Sequence, residues 1–469
     1  MEPRCTAWWR AGARQRRRLS PGAARGSVVG AVLCVVAALP GAGAAASGTA
    51  PGVPGGYDFA EGARTVAGAS GTADAVRLEP GETYRSSIPA NATLTYRLEL
   101  DATTTAYVPV TAVPSADATV TATDGIRVRM QNADGDFCSY GSARFGAGLS
   151  PRPVTALAMR EAGKTLCQGA GTYYVVVEHV AASGADEAPS GDWGLELAPA
   201  EEPRLVQAGA TNAPQAWDSA SPEAVTGEPR RRDGGAGFAS ARALGQGVWQ
   251  AEAEPGQTLF YKVPVDWGQQ LHATAELDAS TGDGGTGGHG GYVSGALNLS
   301  LYNPVRGYVD DMALGYSGTR KTAALEPLPP VEYRNRYGVL GEVRSTRFAG
   351  AYYLVVHLNG QMGGTFGQGP FAVTLRVRVS GASHAGPGYA GPSDPRNLFE
   401  VTAADRAAAV TGSGGAGGVT AGDDPAMKVL AAAGIGTGSA LLLGLGAWTV
   451  VARRRAGIQM RVNAQKPTA

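Results

Sequence analysis

Gly171-Thr172-Tyr173-Tyr174-Val175-Val176-Val177 and Gly350-Ala351-Tyr352-Tyr353-Leu354-Val355-Val356 are two versions of one segment. Each opens on glycine, carries a Tyr-Tyr pair and runs into aliphatic residues, the composition of a β-strand. Matches continue outward on both sides. Leu94-Thr95-Tyr96-Arg97-Leu98 pairs with Leu259-Phe260-Tyr261-Lys262-Val263, and Asp101 with Asp266 at the same offset of 165 residues, which also sets Tyr84 on Trp249. Ile126–Asn132 pairs with Leu297–Asn303, and Trp193–Leu197 with Phe371–Leu375. The order is common to both series while the offset drifts, the signature of a duplicated domain with loops of unequal length.

Within each copy, short alternating runs are separated by Gly, Pro, Asn and Asp, and no helix-period pattern intervenes. The spacing predicts an all-β chain of two tandem antiparallel β-sandwiches, jelly-roll-like in kind. Leu94, Tyr96 and Leu98 would face a core, with Thr95, Arg97 and Glu99 on the other side. The copies are expected at 57–200 and 238–380, with a Pro/Ala/acid-rich linker at 201–237 and a Gly/Ala-rich stalk at 381–426. Of the 469 residues 69 are Gly and 29 Pro, and most of them punctuate these strands and connectors.

Leu78-Glu79-Pro80-Gly81-Glu82, Glu254-Pro255-Gly256-Gln257, the strand Leu259–Pro264 and the Gly350–Val356 strand together resemble bacterial pre-peptidase C-terminal (PPC) domains. The resemblance implies secreted β-sandwich or jelly-roll modules. The first copy departs from the pattern ahead of Leu94, where Asn91-Ala92 replaces Pro-Gly. Such modules usually accompany an enzyme, and no enzymatic domain accompanies them in this sequence.

The ends read as targeting segments. Residues 1–46 combine an Arg-rich start, the apolar run Ser27–Leu39 and the small residues Ala42–Ala46, the pattern of a cleaved signal peptide. Residues 429–452 carry no charge and precede Arg453-Arg454-Arg455. They are long enough for a transmembrane helix whose basic flank, 453–469, stays cytoplasmic. The expected topology is a single-pass cell-membrane protein with its ectodomain outside. Gly434 and Gly438 in that span form a G-x-x-x-G spacing that permits a homodimer through the helix. The formal net charge of zero divides accordingly, because residues 45–427 hold 27 basic and 39 acidic residues. An ectodomain near −12 is no partner for nucleic acid.

Few residues point to chemistry. Neither G-x-S-x-G nor H-E-x-x-H occurs, and Gly163-Lys164-Thr165 lacks the first glycine of a phosphate loop. The chain is therefore read as non-catalytic: an envelope binding or scaffold protein, with a carbohydrate-binding module pair or an accessory subunit of an envelope protease or secretion system as alternatives. Its partner would be an envelope protein or a cell-wall glycan. Cys138 and Cys167 are expected to form a disulfide, since the compartment oxidises and no other cysteine lies in the mature region. Asn132, Asp134 and Asp136 space their oxygens like the start of a calcium loop, and equally like an Asp-Gly hairpin turn; no other cofactor is indicated. Among the tryptophans, Trp193 and Trp249 fall on repeat-matched core positions, whereas Trp217 and Trp267 are the candidates for an exposed ligand platform.

Overall fold

The computed structural model describes residues 56–411, apart from residue 116 and the segments 182–190, 213–215, 224 and 281–290. The signal peptide, the 429–452 span with Gly434 and Gly438, and the tail lie outside the described residues. Among those described, no helix is long and apolar enough to cross a membrane.

Each copy folds into two facing sheets. In the first, one sheet runs in the order Arg64–Thr65, Tyr84–Ile88, Trp193–Leu197, Thr105–Val113, Ala200–Glu202, with Val154–Arg160 also paired to Thr105–Val113. The facing sheet runs Val76–Arg77, Thr93–Leu100, Gly171–Val180, Gly125–Asn132, Phe137–Arg144. The second copy repeats this order. Its sheets run Arg230–Arg231, Gly247–Ala253, Phe371–Ser380, Gln270–Leu277, Lys321–Ala324 and Arg242–Ala243, Thr258–Val265, Gly350–Leu358, Val293–Tyr302, Tyr308–Tyr316. The register repeats too: Tyr173 stands opposite Leu98, and Tyr352 opposite Val263. Burying the inward face of every strand gives each sandwich its own apolar core, around Tyr96, Val128 and Trp193 in one and Tyr261, Leu299 and Phe371 in the other.

The deciding stretch explains itself. Gly171 and Gly350 take φ of 142° and 132°, a region closed to side chains, so glycine starts the strand in both copies. The first tyrosine of each pair is buried and donates its hydroxyl four residues back, Tyr173 to the Gly169 carbonyl at 2.6 Å and Tyr352 to that of Phe348 at 2.8 Å. A buried phenol needs such a partner, and this one also fixes the corner that feeds the strand.

The departure at Asn91 has a physical reason as well. Gly256 sits at φ 82° in a turn closed by the Gln257 amide donating to the Glu254 carbonyl at 2.9 Å. Asn91, its counterpart, sits at φ 58° in a turn closed from Ala92 to Pro89 at 3.2 Å. Asparagine is among the few side chains that tolerate this left-handed geometry, so the turn survives without Pro-Gly.

Two expected connectors differ from their reading. Ala200–Glu202 and Arg230–Arg231, at the ends of the 201–237 linker, are strands. The stalk expected from 381 is packed protein as far as Thr411. It crosses the first sandwich as a strap, with Glu201 and Asp394 exchanging backbone hydrogen bonds at 2.6 and 3.1 Å, and Tyr389 bridged to Leu205. It then buries Phe399 and ends in the helix Ala403–Thr411, which Arg406 ties to Asp266 at 2.6 Å. Composition misled here because a few anchors, Tyr389, Phe399 and Arg406, hold a segment otherwise rich in small residues.

Two tests follow from this packing. Asn91→Ala should cost about 1–2 kcal/mol of unfolding free energy in denaturant titration, and Asn91→Gly should be neutral or stabilising. Glu201 is pushed up to about 6 from the usual 4.5, by burial first and then by the charges of Asp101 and Asp394. The folded state then binds the proton more tightly than the unfolded chain. Stability should therefore fall as pH rises from 4.5 through 6, and Glu201→Gln should flatten that slope in thermal melts across the same range.

Candidate functional site

The two sandwiches meet along a joint built from three carboxylates of the first and three guanidinium groups of the second. Glu196, fully buried on the strand Trp193–Leu197, receives the Tyr57 hydroxyl at 2.9 Å, the Ala60 amide at 3.0 Å and Arg306 at 2.5 Å. Glu202, also buried, receives the Tyr107 hydroxyl at 2.7 Å, Arg336 at 2.6 Å and the Tyr389 hydroxyl of the strap at 2.9 Å. Glu161 pairs with the buried Arg347 at 2.5 Å, which holds the glutamate below the ordinary carboxylate range despite its partial burial. Tyr107, Val305, Phe348 and Phe399 fill the space between these pairs. A fourth contact is neutral: His357 lies between the Ser150 and Thr258 hydroxyls, at 2.8 and 3.0 Å, and burial drives its pKa down to about 3.

Local turns aim these groups. Asn303 accepts the Gly307 amide on its side-chain oxygen at 2.9 Å, closing the turn that presents Arg306. Asn132, its repeat counterpart, accepts the Asp136 amide at 2.7 Å and donates to the Asp136 carboxylate at 3.0 Å. Asn132 and Asp136 thus close a hairpin turn around Asp134. Among the described residues, no group of three His, Cys, Asp or Glu side chains could hold a metal ion.

Beside the joint, a cleft of about 800 Å³ opens between the edge strands Phe137–Arg144 and Tyr308–Tyr316. Ser139, Gly141 and Ser142 line one wall, Tyr308, Arg344 and Ser345 the other, and Leu157, Met159, Arg336 and Arg347 lie between them. Gly141 is required where the Val154–Arg160 strand passes, since a Cβ there would meet the Leu157 carbonyl oxygen at 2.3 Å. The Cys138–Cys167 disulfide is formed, and it ties the first wall to the loop carrying Lys164, Thr165 and Leu166 along the same cleft. A smaller pocket of about 200 Å³ shares Ser142, Thr155 and Tyr308 with it and reaches Arg144, Arg152 and Tyr302. Tyr308 is half exposed and donates its hydroxyl to Asp311.

The tryptophan candidates lie elsewhere. Trp267 is buried, not a surface platform: the strap lies over it, with the His384 amide on its carbonyl at 3.1 Å and Gly386 against the indole. Trp217 is half-buried in the connector, outside the cleft lining. Sequence reading missed Tyr308 and the arginines of the cleft. Their only signal is that Glu196 and Arg306 have no charged counterpart of the same role in the other copy.

No protein-family model and no curated protein matches the sequence. Among solved structures, the chain is similar to the M60 catalytic domain with two CBM51 domains from Clostridium perfringens, at 10% identity and a TM-score of 0.17 over 63% of this chain. It spans about a third of that structure, 34%. The tandem CBM22 domains of Paenibacillus barcinonensis Xyn10C match at 13% identity, covering 66% of this chain and 95% of theirs, with a TM-score of 0.17. The CUB1-EGF-CUB2 segment of human MASP-1/3 matches at 7% identity over 63% of this chain and 99% of its own, with a TM-score of 0.14. At such scores these likenesses carry no argument about ligand or activity.

Removing Arg306 would leave Glu196 buried without its counter-charge. Arg306→Ala should cost about 3–5 kcal/mol in chemical denaturation, and a double variant that also replaces Glu196 with Gln should recover part of that loss.

Proposed function

We propose that this chain is a non-catalytic binding protein of the cell envelope and that its ligand is a glycan held in the cleft between the sandwiches. The observation that carries the reading is the cleft itself. Both copies wall it, buried ion pairs fix the angle between its walls, and its lining offers hydroxyls, amides and one half-exposed tyrosine ring. Polar groups held by a rigid frame beside an aromatic face suit a polyhydroxylated ligand, which needs many hydrogen bonds and little reorganisation.

The remaining features support display at the surface. The Arg-rich leader, the charge-free 429–452 run and the Arg triplet after it support a single-pass anchor with the sandwiches outside. The disulfide suits an oxidising compartment. The Pro-Gly and Tyr-Tyr motifs support kinship with PPC modules.

The test is retention of the protein on insoluble cell-wall polysaccharides. Tyr308→Ala should weaken retention about tenfold with the fold intact by circular dichroism. Failure to retain any polysaccharide, or turnover of ester, peptide or glycoside substrates, would overturn the reading.

A further inference from the structure

The ectodomain is acidic as a whole, yet the groups along the cleft are not. Lys164, Arg336, Arg344 and Arg347 line it against Glu161 and Glu342. Arg336 and Arg347 are spent on the joint, and Arg344 donates to the Val339 carbonyl at 2.9 Å. The smaller pocket differs, because its cations have no such employment. Arg144 and Arg152 make no ion pair with any described residue, while Asp311 opposite them is occupied by the Tyr308 hydroxyl and by Asn298 at 3.3 Å. Arg152 is partly covered and rests near the Phe145 ring, 5.8 Å from its centre. Burial holds its guanidinium below the ordinary range, an effect that Tyr302 and Asp311 only partly offset. His357, also in the lining, is held neutral by burial. The site is thus a recess between two domains, rimmed by hydroxyls, in which two guanidinium groups face the single carboxylate of Asp311. A guanidinium in that position gains most from a planar or tetrahedral oxyanion arriving from outside.

Resting on the glycan reading of the cleft, we propose that the pocket between Arg144 and Arg152 of the first sandwich and Ser300, Tyr302 and Tyr308 of the second is an anion subsite for an acidic glycan. It seats the charged group of the polymer, a uronate carboxylate or a sugar-linked phosphate, while the adjoining cleft holds the neighbouring residues. Its size sets the limit: about 200 Å³ accommodates one charged unit and not a chain. Tyr308, common to both spaces, is where the chain would turn from one into the other.

The experiment is calorimetric titration of the full-length chain in detergent with an oligogalacturonate, a polyglycerol phosphate and a neutral gluco-oligosaccharide of equal length. At least one anionic oligomer should bind more tightly than the neutral one, and the two anionic arms separate carboxylate from phosphate. Arg152→Gln and Arg144→Gln should each weaken that binding about tenfold, and Arg152→Lys should restore part of it. Arg144 is exposed, so its variant tests the charge apart from any packing role of Arg152. Equal affinity for neutral and anionic oligomers, or indifference to both Gln variants, would overturn the subsite while the cleft reading stands on Tyr308→Ala. No binding by any of the three would overturn both.

Discussion

Glu196 and Glu202 are carboxylates with almost no solvent exposure, at 0% and 2%, and the joint between the sandwiches is built from the donors that hold them. Taking a carboxylate out of water costs several kcal/mol unless donors replace the lost hydration. Each has three donors here, and in each case one is an arginine from the other sandwich. Neither sandwich can satisfy its own half of the joint. The two domains are therefore held at one relative angle by groups that are expensive to separate, and a wrong angle would strand a buried charge. Apolar packing alone, through Tyr107, Val305, Phe348 and Phe399, would tolerate sliding. The ion pairs supply direction. The chain's preference for Arg over Lys fits this use, since a planar fork makes oriented contacts with carboxylates where an ammonium makes only a point contact.

The cleft is a consequence of that angle. Docking places the last strands of two sheets, Phe137–Arg144 and Tyr308–Tyr316, on either side of a gap instead of against each other. A bare sheet edge invites pairing with another chain, and here the edges are partly screened by the crossing strand Val154–Arg160 and by the short helix Gly341–Ser345. The strap after the second sandwich closes the system by reaching back to Glu202 through Tyr389 and to the strand end at Glu201. Any pull on the chain beyond Thr411 would reach the joint through Phe399 and the Ala403–Thr411 helix.

The fold was legible because a duplicated pattern offers an internal control. Leu94–Leu98 is an ordinary strand, but its recurrence at Leu259–Val263 in the same order as three other pairs excludes coincidence, and both copies share one strand order. What the copies share is what each needs to fold alone: the Gly-Tyr-Tyr corner, the Asn-closed turn, the core aromatics. What they do not share was hidden by the same logic. Glu196, Glu202, Arg306, Arg336 and Arg347 serve the joint, where the copies play opposite parts, and an alignment of one copy on the other treats such positions as noise. Trp267 was misplaced for a related reason: its cover comes from the strap, far along the chain and poor in apolar residues. Asn132 to Asp136 carried two readings of equal spacing, and only the hydrogen bonds around Asn132 separate a turn from a cation loop.

The charge near −12 of residues 45–427 should repel acidic polymers at long range, yet within a Debye length of about 8–10 Å the local arrangement outweighs that total. The joint pairs three glutamates of the first sandwich with three arginines of the second. Arg336 and Arg347 reach their carboxylates and also border the cleft, so the pairs that fix the angle form part of its lining. Cleft and domain joint are consequently one structure, and a change to either is a change to both.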